Sequence, residues 1–260
     1  MGTTDRPEGH DLEIAPALPA GAPIDDVVDR REFLALCGRG ATLAAAAGFV
    51  GCATPARAQE GPAQEGPGGP FRYPIRDYGA LRGLARLPDA QVEVHLALYA
   101  GYVRRTNALL DAFAGARGAS DAGAQELRRR LGFEWNGMRL HELYFDGLAP
   151  DPAPLAPDGA FARAVAASYG GVDAWRRDLL ATASMPGVGW AITVLDGGRV
   201  LNTWVNDHEA GALAGARPLL VVDVWEHAFA AYRKPTERAA YLDDLLACVD
   251  WHVVEARFAG

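Results

Sequence analysis

The chain has 260 residues, 50% of them hydrophobic and 22% charged, with 25 Lys and Arg against 33 Asp and Glu for a net charge of -8. The acidic balance and the lack of a basic stripe exclude a nucleic-acid partner, and no apolar run after the N-terminal segment is long enough to span a membrane. Cys37, Cys52 and Cys248 are too few and too scattered for a disulfide framework.

Residues 1–58 read as a targeting segment. Asp29-Arg30-Arg31-Glu32-Phe33-Leu34 resembles the twin-arginine export motif, an apolar stretch follows from Ala41 to Val50, and Ala56-Arg57-Ala58 is an A-x-A cleavage signal. Cleavage after Ala58 and a periplasmic or secreted mature protein are the expectation. Lipid anchoring at Cys52 competes with it, but Phe49-Val50-Gly51-Cys52 lacks the Leu that a lipobox places first. Residues 59–84 follow as a flexible linker, because the Gly, Pro, Gln and Glu of its first part cannot bury a core.

Two helices come next. Apolar residues recur at helical spacing from Asp89 to Ala114, and again from Ala122 to Phe145, with Gly115–Gly118 between them and Gly147 and a Pro-rich turn after them. They predict an antiparallel helical hairpin over 85–150. The region 151–260 is predicted as an α/β C-terminal domain. It begins with short helices at 159–169 and 172–183. Trp190–Leu195, the turn Asp196-Gly197-Gly198 and Val200–Val205 form a hairpin, and Leu219–Val222 adds a third strand. Helices at about 226–232 and 235–247, and one near Trp251–Arg257, close the chain. The class is α+β, with a three-stranded antiparallel sheet flanked by helices.

The segment richest in chemistry is Asp223-Val224-Trp225-Glu226-His227-Ala228. On a helix, residues four apart share a face, so Asp223 and His227 could converge on one metal ion. Alone, such a pair is more often an ion pair or a satisfied half-buried histidine. The segment, however, resembles the C-terminal signature of the iron/manganese superoxide dismutase family. His95 and Tyr102-Val103, then Asn107, resemble the family's first helix. Asn136-Gly137-Met138-Arg139-Leu140-His141 resembles its second ligand segment, and Gly187-Val188-Gly189-Trp190 the opening of its sheet. The resemblance runs over residues 85 to 258 with the motifs in family order.

The resemblance implies superoxide as substrate, one Fe or Mn ion per subunit, and the ligands His95, His141, Asp223 and His227. Three imidazoles and one carboxylate suit either metal; zinc suits the ligand types but has no redox chemistry. It further implies Tyr102 as the gateway residue and His208 as its outer partner in proton delivery, with Trp190 and Trp225 walling the pocket. Arg238 is expected near the funnel mouth, and Glu226 is expected to reach the His227 of a second subunit in a homodimer.

The chain also departs from the family pattern. His95 precedes Tyr102 by seven residues, one fewer than in most relatives, and an ungapped alignment through Tyr102 puts Val94 at the ligand position. His95 is preferred because valine offers no donor. The reading requires a first helix without the single π-bulge that would absorb an extra residue, and a His95 ring that turns toward His141. Leu98 and Ala230 stand where family dimers carry an interacting His and Tyr. These departures motivate an alternative, a catalytically weak dismutase-like periplasmic protein that binds metal.

Overall fold

The computed structural model describes residues 71–260. The twin-arginine motif, the apolar stretch, the cleavage signal, Cys37, Cys52 and the linker up to Pro70 lie outside the described residues.

Helix α1 runs from Asp89 to Gly115 and α2 from Ala122 to Asp146. Asp121 caps α2 by accepting the Ala124 N–H at 3.0 Å, satisfying one of the donors that a helix start leaves without a partner. Val92, Tyr99, Tyr102, Val103 and Thr106 recur at helical spacing on the buried face of α1, and Met138, His141, Tyr144 and Phe145 on that of α2. Helices α3 (Ala160–Tyr169) and α4 (Val172–Ala183) lead into the sheet.

Strands β1 (Gly189–Asp196), β2 (Arg199–Asn206) and β3 (Arg217–Asp223) form an antiparallel sheet in the order β2-β1-β3. Gly197 and Gly198 join the first two with φ of 53° and 80°, values that a two-residue hairpin turn demands and that glycine adopts without strain. The β1–β3 register sets Trp190 opposite Asp223. Helices α5 (Arg238–Leu246) and α6 (Trp251–Ala259) complete the chain. The fold is therefore α+β as expected. Helix α2 lies against β3, and one core containing Tyr99, Met138, Trp190, Leu219 and Tyr241 serves both the hairpin and the sheet.

Two expectations are corrected. The linker does not extend to residue 84: Tyr73 and Asn107 exchange two hydrogen bonds of 2.9 Å, and Leu81 and Leu84 are buried. The leucines supply the apolar anchor that Gly-Pro-Gln composition lacks. Nor is 226–232 a helix. Glu226–Ala228 makes a single 3-10 turn, and the backbone then leaves helical geometry at Phe229, with φ of -146°. That departure seats the Phe229 ring, fully buried, on Tyr241 at 4.9 Å between centroids. Burial of an aromatic side chain outweighs the small gain from continuing a short helix.

Candidate metal centre

Four side chains from four places in the chain meet between the hairpin and the sheet. His95 comes from α1, His141 from α2, Asp223 from the end of β3 and His227 from the 3-10 turn. One donor atom from each lies within 4.8 Å of all the others. The Nε2 atoms of His95, His227 and His141 stand 3.0, 3.3 and 3.7 Å from the same carboxylate oxygen, Oδ2 of Asp223. Helix α1 is α-helical throughout, without a π-bulge, and its His95 ring lies 5.0 Å from that of His141. Val94, the alternative position, offers no polar atom.

The hydrogen bonds around these rings determine which atoms are available to a ligand. His141 Nδ1–H donates to the Gly137 carbonyl at 2.6 Å, so its Nε2 carries the lone pair. That Nε2 is buried and has no hydrogen-bond partner. A bare nitrogen facing a carboxylate oxygen is repulsive unless a cation lies between them. Asp223 Oδ1 accepts the Trp225 N–H at 2.8 Å, and the Asp223 backbone carbonyl accepts the Tyr241 hydroxyl at 2.8 Å, which orients the carboxylate. The donor set thus fits a divalent or trivalent cation that accepts imidazole and carboxylate ligands.

Burial sets the charges. It pushes the Asp223 carboxyl upward, but the nearby His227 and His95 outweigh it and hold the group below the usual carboxylate range. Burial also lowers His95 and His141, so both favour the neutral form that binds metal.

Beside the four donors stands a second hydrogen-bonded chain. Trp190 Nε1–H donates to His208 Nδ1 at 2.9 Å. An indole only donates, so Nδ1 must accept, and the His208 proton resides on Nε2. That Nε2–H in turn donates to the Tyr102 hydroxyl oxygen at 2.8 Å. The phenolic hydrogen is thereby left to donate elsewhere. Burial lowers His208 to about 3 and pushes the Tyr102 phenol up, so at neutral pH the imidazole is uncharged and the phenol keeps its proton. Trp225 stacks between the His208 and His227 rings, at 4.9 and 5.6 Å, and Trp190 meets His141 edge-on at 5.0 Å.

The remaining expected residues fall outside this cluster. Arg238 donates to the Met185 and Gly187 carbonyls, both at 2.8 Å, and secures the turn before β1. Glu226 is exposed on the 3-10 turn. Asn107 ties down the segment before α1 through Tyr73. Two further residues matter that the sequence did not single out for a role. Gly137 leaves the space that the Tyr102 ring fills; its signal was a glycine inside a helix, four residues before a histidine. Gln91 bonds the backbone around His227, and a polar residue one turn before His95 on a buried face was its only signal.

Among the described residues no helix is long and apolar enough to cross a membrane. Residues 157–257 match the family described as iron/manganese superoxide dismutases, C-terminal domain. The chain is 32% identical to superoxide dismutase [Mn] 2 of Haloferax volcanii over 167 residues, 63% of this chain and 82% of the relative. It is 33% identical to superoxide dismutase [Fe] of Aquifex aeolicus over 193 residues, 70% and 89% of the two chains. Superoxide dismutase [Mn] of Mycolicibacterium smegmatis is 32% identical over 192 residues, 71% and 89%.

Proposed function

The chain belongs to the iron/manganese superoxide dismutase family, and from that premise we propose how its own residues carry the activity. It is an oxidoreductase of the superoxide dismutase type. His95, His141, Asp223 and His227 hold one iron or manganese ion per subunit. The observation that carries the assignment is the buried His141 Nε2, which has no hydrogen-bond partner and faces a carboxylate oxygen shared with two other imidazoles.

The metal supplies a one-electron couple: two superoxide ions and two protons become dioxygen and hydrogen peroxide. The protein's part is to hold the ligands neutral, exclude bulk water and provide the protons. Trp190 and Trp225 close the polar cluster with aromatic surface. Tyr102, its oxygen held by the His208 Nε2–H so that the phenolic hydrogen is directed elsewhere, is the proton donor to the reacting oxygen. His208 works as a donor of fixed tautomer, because the Trp190 indole occupies its other nitrogen. The neutral phenol loses no proton to solvent near pH 7, since burial raises its pKa.

Arg238 shapes the mouth of the substrate path by securing the 185–187 turn. The mature protein is a homodimer in which Glu226 of one subunit meets the metal-ligand histidine of the other. Its exposure on a single chain supports that role. Leu98 and Ala230 remove the usual second link across that seam. Twin-arginine export carries the folded protein to the periplasm, a reading supported by Arg30-Arg31, the following apolar stretch and Ala56-Arg57-Ala58.

Metal analysis of the purified chain, paired with a superoxide-consumption assay, tests the assignment. Stoichiometric iron or manganese with turnover is expected. Zinc would overturn the redox reading, and iron or manganese without turnover would favour a metal-binding protein of dismutase fold.

A further inference from the structure

His227 is the least supported of the four donors by its own element. Its side chain is 10% exposed, against 3% for His95 and 0% for His141 and Asp223. His95 and His141 sit on long helices and Asp223 ends a paired strand. His227 sits in a three-residue 3-10 turn, after which the chain leaves helical geometry. A turn that short does not determine the direction of its own side chains.

Another element supplies what the turn lacks. Gln91, 2% exposed in the first turn of α1, donates from Nε2 to the His227 backbone carbonyl at 2.6 Å. Its Oε1 accepts the Ala231 N–H at 3.0 Å. One amide therefore holds the backbone at both ends of the 227–231 segment. Gln91 lies four residues before His95, so the two share a helix face. That single face of α1 presents one donor residue and the clamp on the segment that carries another.

We infer that Gln91 is a positioning residue for the metal: it keeps the His227 segment closed, and its loss opens the route by which the ion leaves. This rests on the four-donor reading of the site. Both atoms of its amide are needed, because one end of the segment requires a donor and the other an acceptor.

The test uses the full chain loaded with manganese or iron, mixed with excess chelator, with metal release followed by absorbance. Gln91→Met keeps the volume and removes both hydrogen bonds. Its release is expected to be about 10- to 100-fold faster than wild type, the usual consequence of losing a residue that orients a ligand. Val92→Ala is the control: Val92 is a buried neighbour on α1 that borders Ala228, and its truncation lowers the melting temperature while leaving both hydrogen bonds of the Gln91 amide in place. A merely structural Gln91 would give matched release from Gln91→Met and Val92→Ala, and that result overturns the inference. Should Gln91→Met not fold, Gln91→Glu carries the test, since it keeps the acceptor for Ala231 and loses the donor to His227. Faster release from it supports the clamp and unchanged release overturns it. A wild-type chain that holds no metal after loading would instead overturn the four-donor reading, and the clamp with it.

Discussion

Gly137 and the Tyr102 ring occupy adjoining space: a Cβ at residue 137 would stand 2.6 Å from Tyr102 Cδ1 and 2.7 Å from Cε1. Contacts that short force the ring to move. The Tyr102 ring of one helix is thus seated by the missing side chain of the other.

Gly137→Ala is therefore expected to shift the Tyr102 ring and lengthen its bond to His208. Turnover should fall about 100-fold, the scale of loss when a reacting group is displaced by about an ångström. Metal content should be unchanged, because the Gly137 carbonyl that holds His141 is backbone. Steady-state kinetics with metal analysis checks both parts. Full activity in the alanine variant would refute the seating argument.

Tyr102→Phe removes the hydroxyl but keeps the ring. A loss of about 100-fold in the proton-dependent step is expected, within the range for removing a positioned acid. The same variant leaves the His208 Nε2–H without its acceptor inside the protein, at a cost of about 1–3 kcal/mol in stability. Turnover under saturating superoxide and thermal melting measure the two effects separately.

Chelation should lower the melting temperature of wild type, since an ion that binds only the folded state stabilises it by mass action. In Asp223→Asn the carboxylate facing all three imidazoles is lost. That variant should hold less than stoichiometric metal, and chelator should no longer move its melting temperature. Calorimetry with and without chelator decides the matter.

The metal-free chain should lose stability as pH falls below about 6.5. Burial lowers His208 from its ordinary value of 6.5 to about 3, so in that window the unfolded chain binds a proton that the folded chain refuses. Stability then falls with falling pH until the folded imidazole itself titrates near 3. His95 and His141, lowered by the same cause, act with the same sign. Urea unfolding of the chelated protein between pH 7 and pH 4 measures the slope, which should be shallower in His208→Gln. A stability that rises on acidification would contradict the assignment.

Glu134 links the two helices of the hairpin, and its environment makes the expected costs unequal. Its carboxylate is buried, whereas the Arg105 and Arg130 side chains that bond it are half exposed. Replacing both arginines with leucine leaves an uncompensated buried charge and should cost about 3–5 kcal/mol. Glu134→Leu leaves two arginines that water can reach and should cost much less. Urea unfolding of the two variants compares them directly.

The helical hairpin was legible because its apolar residues repeat with helical spacing over more than twenty residues each. The strands were legible from β-branched runs around Gly197-Gly198. His141, Asp223 and His227 could be placed from local motifs, and His95 from the need for a donor where Val94 has none. The turn after Asp223 was not legible: 226–232 carries helix-compatible residues, and the helix stops where Phe229 is buried on Tyr241 and Gln91 takes the His227 carbonyl and the Ala231 N–H that would otherwise bond each other. Gln91 was invisible for a related reason. Its partners lie 136 and 140 residues away, and no spacing within α1 announces them. Arg238 shows the reverse case, a residue found by motif whose observed bonds are to the backbone carbonyls of the turn before β1.

His95 and Asp223, whose side chains stand 3.0 Å apart, are separated by 128 positions in the chain. Contacts of that span form late, after the loop between them has closed. A nascent chain ending at Asp146 holds two of the four donors and offers an ion no complete cage. Loading thus reports on completed folding: an ion held by all four donors certifies that the hairpin has docked on the sheet.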